Sequence, residues 1–377
     1  MLIVYWMMRL IRTKRKIRLH LWMTIPYLII FALCIASLSR ITTIQSSVKA
    51  GSLFLVIKNL ILFLYIANNL SDRRSVFILI GVILLNGCFQ SIVAIGQYVT
   101  GGPLGLGMLG ETNVHSLDSM TRVGGTIGHP NKLALMLAFV LEINISVLFI
   151  PASWKIKLLR IFPMLLMFPA VLITYSRGAW ASLVLGGSIN FYWCRSKKTQ
   201  QKIISAVVVF VVFAGLAFVS VGLVPSVRNR IFGDDNGSAD IRIPLKVIAK
   251  NIINHHYWLG VGLNNYVSVI RKYDNSQEGA SLLFPMPVHN EYLLIAAELG
   301  IPAAIVFIIL LCLIFGFHLS IGRTSVDPAY PYLAIGFLCG WIGWCLHHRS
   351  LFEYALFQHD IWFYLGIAQA LKNNLKT

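Results

Sequence analysis

Residues 21–39 read LWMTIPYLIIFALCIASLS, a run without a single charged side chain. At about 1.5 Å of rise per residue, such a run wound into a helix covers about 30 Å of hydrocarbon, enough to cross a bilayer. Ahead of it stand Arg9, Arg12, Lys14, Arg15, Lys16 and Arg18. That order, basic and then apolar, is also the order of a signal peptide, but no small-x-small cleavage site follows the run. It is read as an uncleaved first span.

The same measure marks further spans at 51–69, 75–99, 133–150, 158–175, 179–194, 203–224, 292–319, 331–347 and 354–371. The run at 292–319 is long enough to tilt or break. Unpaired backbone groups are not tolerated in lipid, so the runs are expected to be helices. The fold class expected is therefore an all-α integral membrane protein of about ten transmembrane helices, with a long extracytoplasmic loop that carries amphipathic helices. Composition agrees. Of the 377 residues 57% are hydrophobic and 12% charged, with a mean hydropathy of +0.73, whereas soluble domains carry roughly a quarter charged residues. A net charge of +18 would point to nucleic acid in a soluble chain, but these cations sit between apolar runs and no nucleic-acid motif accompanies them. Topology and anionic lipid account for them instead. The six cysteines are scattered, five of them within apolar runs, and form neither a disulfide framework nor a Cys-x-x-Cys pair.

Basic residues near span ends fix the orientation. With the N-terminus inside, the inner segments hold eighteen Lys and Arg residues. The short outer ones hold six: Arg40, Lys49, Arg122, Lys132, Arg177 and Arg349. Both termini are thus expected in the cytoplasm. Three segments follow: a bundle of about seven spans over 1–224 with an outer loop at 100–132, an extracytoplasmic loop over 225–291, and about three spans over 292–377, together one structural unit. Both outer loops exceed what a connector needs, which marks them as functional. In the second, Asp240 is a candidate N-cap and Pro244 lies in the first turn. Leu245, Ile248 and Ile252 recur at helical spacing with Lys246 and Lys250 on another face, as in an amphipathic helix. The Asp234–Ser238 run before it reads as a turn.

The unusual polar residues gather on the outer side. Arg177, in Thr174-Tyr175-Ser176-Arg177-Gly178-Ala179-Trp180, lies at a junction of two spans. There it is either a snorkelling arginine that caps a turn or a guanidinium aimed at phosphate. Arg242 opens the amphipathic helix and by itself is a solvated surface arginine. Behind that helix, Trp258-Leu259-Gly260-Val261-Gly262 reads as a tight turn. His289 and Asn290 precede the eighth span. Glu291 and Glu298 share a helix face, Glu298 about 10 Å deeper, where a carboxylate needs a partner such as an arginine. The stretch Gly124 to Asn131 enters the fourth span with Pro130 in its first turn. The clusters His115-Ser116 with Asp118, and His347-His348-Arg349, lack metal-site spacing. Lys58, followed by Asn59 near the middle of the second span, stands apart. It either pairs with a carboxylate within the bundle or snorkels, and it is the single residue most suggestive of transport.

Together these features resemble the O-antigen ligase and polymerase superfamily of bacterial membrane glycosyltransferases, over about residues 75–320. Four stretches carry the resemblance. They are Gly125-Thr126-Ile127-Gly128-His129-Pro130-Asn131, Ser176-Arg177-Gly178-Ala179-Trp180, Arg242 followed by Trp258-Leu259-Gly260-Val261-Gly262, and His289-Asn290 with Glu298-Leu299-Gly300. The chain departs from the family pattern in its smaller span count, in Tyr257-Trp258 where a proline is usual, and in His129 within the Gly-Asn-Pro-Asn element. The resemblance implies transfer of a glycan from an undecaprenyl-diphosphate-linked donor to a sugar hydroxyl of a glycan, lipid A-core or other acceptor. The transfer would be inverting, at the periplasmic face of the inner membrane, without metal or other cofactor and with membrane lipids as surroundings. It implies Arg177 and Arg242 on the diphosphate and His289 as general base. Glu298, Asn290, His129, Asn131 and Arg349 are placed among the substrate-binding residues, Glu298 orienting an arginine or the histidine. The rival readings are a transporter or flippase for a lipid-linked or anionic substrate, centred on Lys58, and a polytopic sensor or scaffold.

Overall fold

A computed structural model describes residues 5–6, 8–9, 12, 17, 21–40, 46–70, 72–117, 120–195, 242–276, 279–324, 327–349, 354, 356 and 358–373. The expected span at 203–224, the Asp234–Ser238 turn, Asp240 and Asp118 lie outside them. Among the described residues the chain is helical apart from one short hairpin, β1 (His115–Leu117) against β2 (Met120–Arg122).

Helices occur at the other expected spans. They are α1 (Leu21–Ser37), α2 (Ser46–Asn69), α3 (Arg73–Thr100), α4 (Pro130–Leu148), α5 (Trp154–Ile173) and α6 (Arg177–Arg195). After helices α7 (Arg242–His255), α8 (Tyr266–Val269) and α9 (Ala280–Leu283) come α10 (Glu291–Leu299), α11 (Ile301–Thr324), α12 (Tyr330–His347) and α13 (His359–Asn373). Six described stretches are long and apolar enough to cross a membrane: Leu21–Arg40, Ser52–Asn69, Arg73–Thr100, Pro130–Leu148, Trp154–Ile173 and Ile301–Ile321. The expected spans at α6, α12 and α13 are helical without meeting that measure. Most of α12 is buried against protein, where aromatic and small side chains replace the aliphatic ones that lipid favours. The run expected at 292–319 is broken at Gly300, between α10 and α11.

The chain forms two compact units of interleaved segments. One comprises Met1–Val76, Asn236–Phe317 and His348–Thr377. In it α13 packs along α2. The Trp362 ring meets Tyr27 edge-on at 4.5 Å, and Tyr27 donates from its hydroxyl to the Val56 carbonyl at 2.7 Å. Asn59, fully buried, donates to the carbonyls of Leu356 at 3.0 Å and Gln358 at 3.2 Å. That polar residue of the second span is thus a structural clamp, while Lys58 beside it is half-buried.

The other unit comprises Phe77–Asp235 and His318–His347. Here α12 packs against both α4 and α6. Phe139 of α4 stacks edge-on against Phe337 and Trp341 of α12. Ser182 of α6 donates to the Gly343 carbonyl at 3.1 Å. Glu142 of α4 is buried, and the Asn190 side chain donates to its carboxylate and its backbone carbonyl.

Candidate active site

The amphipathic reading of α7 holds. Leu245, Ile248, Ala249 and Ile252 are buried and Lys246 and Lys250 exposed. The apolar face packs on α10 through Leu294, Ala296 and Ala297, with Val261, Tyr266 and Val288 completing one cluster. Tyr266 donates to the Leu245 carbonyl at 3.3 Å and so fixes the first turn of α7, from which half-buried Arg242 extends.

His289 precedes α10, whose N-terminus is closed by protein. Asn290 is the N-cap, accepting from the Leu293 amide at 3.0 Å, the usual way to satisfy an orphan helix donor. Its amide nitrogen donates to the Arg349 carbonyl at 3.2 Å, and the Glu291 amide donates to the His348 carbonyl at 3.0 Å. These bonds leave the Arg349 side chain exposed and set the backbone that carries His289. Burial, and then the Arg242 charge, hold the His289 imidazole well below its ordinary 6.5, at about 4. His289 is therefore neutral near pH 7, the state that can accept a proton, and Arg242 is its electrostatic neighbour.

At the other end of α10 the two glycine-bearing sequence motifs interlock. Val261 and Gly262 donate from their amides to the carbonyls of Ala297 and Glu298, each at 2.9 Å, and Ile301 donates to the Tyr257 carbonyl at 2.9 Å. Gly260 and Gly300 have φ of +60° and +89°. A Cβ on either would overlap backbone across the contact, Glu298 in one direction and Trp258 in the other. The Glu298 carboxylate is buried and accepts from the amides of Asn264 at 2.9 Å and Tyr266 at 3.1 Å. Glu298 therefore fixes the turn; the sequence reading has it orient an arginine or the histidine. Backbone amides are one way to satisfy a buried carboxyl group. Glu291 and Glu298 do share a face, and line one narrow cleft with Tyr354.

Arg177 belongs to the other unit, where it is exposed at the first position of α6. The chain reverses from α5 to α6 through Thr174, Tyr175 and Ser176, all buried, with Tyr175 in the left-handed region at φ +53°. The Gly125–Asn131 motif lies in the same unit. His129 is the N-cap of α4, its Nδ1 accepting from the Asn131 amide at 3.2 Å, and Pro130 is the first helical residue. Two amides on one face of α3 grip the motif. Gln90 accepts from the Thr126 amide at 3.0 Å, and Gln97 accepts from the Gly125 amide at 2.9 Å and donates to the Gly125 carbonyl at 3.2 Å. Gln97 also donates to Glu111 at 2.7 Å. Burial opposes charge on Glu111, yet bonds from the Leu104 amide, Gln97 and the Leu106 amide outweigh it and hold the carboxyl below the usual range. Sequence reading missed Gln90 and Gln97. Their seven-residue spacing inside an apolar run was the available signal. Arg122 was read only as one of the outer charges.

A family model described as O-antigen ligase matches residues 162–308. The match supports the resemblance of this chain to the O-antigen ligase and polymerase superfamily. The matched stretch contains Arg177, Arg242, the Trp258–Gly262 turn, His289 and Glu298, while the Gly125–Asn131 motif lies ahead of it. No curated protein matches the chain. That match, with the apolar helices above, supports a membrane enzyme of the glycosyltransferase type in general.

Proposed function

We propose that this chain transfers a glycan from an undecaprenyl-diphosphate donor to a sugar hydroxyl, as a ligase or polymerase, on the periplasmic face of the inner membrane. The observation that carries the reading is neutral His289 with Arg242 as its charged neighbour, inside the matched family region. The acceptor hydroxyl attacks the anomeric carbon and gives its proton to His289. The bond from that carbon to the phosphate oxygen breaks, and the lipid diphosphate leaves with the electron pair. A single displacement inverts the anomeric carbon. Arg242 and Arg177 offset the charge that grows on the leaving group, as preorganised cations do in metal-free phosphate chemistry, and exposed Arg349 contributes to holding substrate. A donor diphosphate beside Arg242 also cancels part of the field that depresses His289, so the base strengthens once donor is bound.

Single His289→Ala, Arg242→Ala and Arg177→Ala variants at matched protein levels are expected to lose surface glycan and to accumulate lipid-linked glycan. Loss of a general base typically costs about 10²- to 10⁴-fold in rate. Normal glycan assembly in all three would discard the assignment. Activity of the purified protein should survive a chelator, and dependence on a divalent ion would contradict the arginine-based scheme.

A further inference from the structure

The structure points to Arg122 as a positioning residue for Arg177, and we infer that the Gly128-His129-Pro130-Asn131 element serves the reaction through it. This rests on the reading that Arg177 meets the donor diphosphate. Arg122, at the end of β2 and half-buried, makes two bonds to two different sequence motifs. Its Nε donates to the Thr174 carbonyl at 3.0 Å, and its Nη2 donates to Asn131 Oδ1 at 2.8 Å. The Asn131 amide in turn bonds to the His129 ring. A chain of contacts therefore runs from His129 through Asn131 and Arg122 to Thr174, three residues before Arg177.

Physical reasons make that link matter. Thr174 caps the C-terminus of α5, where carbonyls lack helical partners and a cation is favourable. Arg177 opens α6, where the helix dipole disfavours a cation, so its placement needs outside support. Between the two lies Tyr175, in a backbone region that costs a non-glycine residue about 1–3 kcal/mol and persists only where neighbours enforce it. The planar guanidinium holds two acceptors at once in a fixed fork. A lysine ammonium carries the same charge without that geometry.

The test uses the full chain in nanodiscs, with undecaprenyl diphosphate as the probe and binding affinity as the readout. Arg177→Ala should weaken binding. Arg122→Lys should weaken it about tenfold, the scale of one charge-assisted hydrogen bond, without adding to the effect of Arg177→Ala in the double variant. Asn131→Leu, which removes the acceptor, should weaken binding as Arg122→Lys does. Unchanged binding in Arg122→Lys, or losses that multiply in the double variant, would overturn the positioning role while leaving the diphosphate reading intact. Unchanged binding in Arg177→Ala would overturn that reading and this inference with it.

Discussion

The two sequence motifs of the matched region that meet at the C-terminal end of α10 and the motif that opens α4 are held in opposite ways. At α10, the Trp258–Gly262 turn and the Glu298–Gly300 end meet backbone to backbone, with two glycines at the contact and two amides on a buried carboxylate. At α4, the Gly125–Asn131 stretch is gripped by side chains reaching in from elsewhere: Gln90, Gln97 and Arg122. Backbone contact leaves no freedom, because any added atom displaces the main chain. Side-chain clamps can be changed one at a time. The first arrangement is thus brittle and the second gradable.

The largest effect expected is at Gly300. Gly300→Ala must overlap the Trp258 carbonyl and adopt a backbone conformation suited only to glycine, costing more than about 3 kcal/mol. Loss of folded protein, seen as a collapsed size-exclusion peak, is the expected result. A monodisperse, active Gly300→Ala protein would break the comparison. Next comes Glu298→Ala, which strands the amides of Asn264 and Tyr266 at roughly 1–3 kcal/mol each; thermal unfolding in detergent should fall accordingly. Gln97→Leu strands only the Gly125 amide among backbone donors and should lower the unfolding temperature less, with folded protein retained. If Gln97→Leu proves more damaging than Glu298→Ala, the ranking of the two regions is reversed.

The smallest effect concerns pH. For His289 as base, the acid limb of kcat/KM should lie near pH 4, because burial and Arg242 disfavour the protonated ring in the free enzyme. The same depression makes stability fall as pH drops from 6.5 toward 4, since the unfolded chain takes up the proton first. In Arg242→Gln, residual activity should show that limb moved upward toward the ordinary histidine value. A limb that stays in place would remove Arg242 from the field at His289.

How much of this was legible follows from what each signal depends on. The helices at α1 to α6 follow from apolar run length, a local property, and so does the amphipathic face of α7. The break at Gly300 was readable only as an excess of length. Its cause is Trp258 pressing on it from a turn dozens of residues earlier in the chain. Asn290 as a cap and His129 as a cap are local and follow from the residues beside them. For Glu298, depth along a helix says that a carboxylate needs a partner, but not that backbone amides will be among them. Arg122 carried no local signal beyond its charge, since both of its partners lie far from it in sequence or around a helix entrance.

Tyr175 has a consequence for how this chain can vary. A library randomised at that position and selected only for folded protein should return glycine and asparagine, the residues that take the left-handed turn at least cost. Selection for activity as well would narrow the survivors to those that still present Arg177 at the same angle. The tyrosine, whose hydroxyl lies 3.4 Å from that of Tyr98, is thus a position where foldability and catalysis would choose different alphabets.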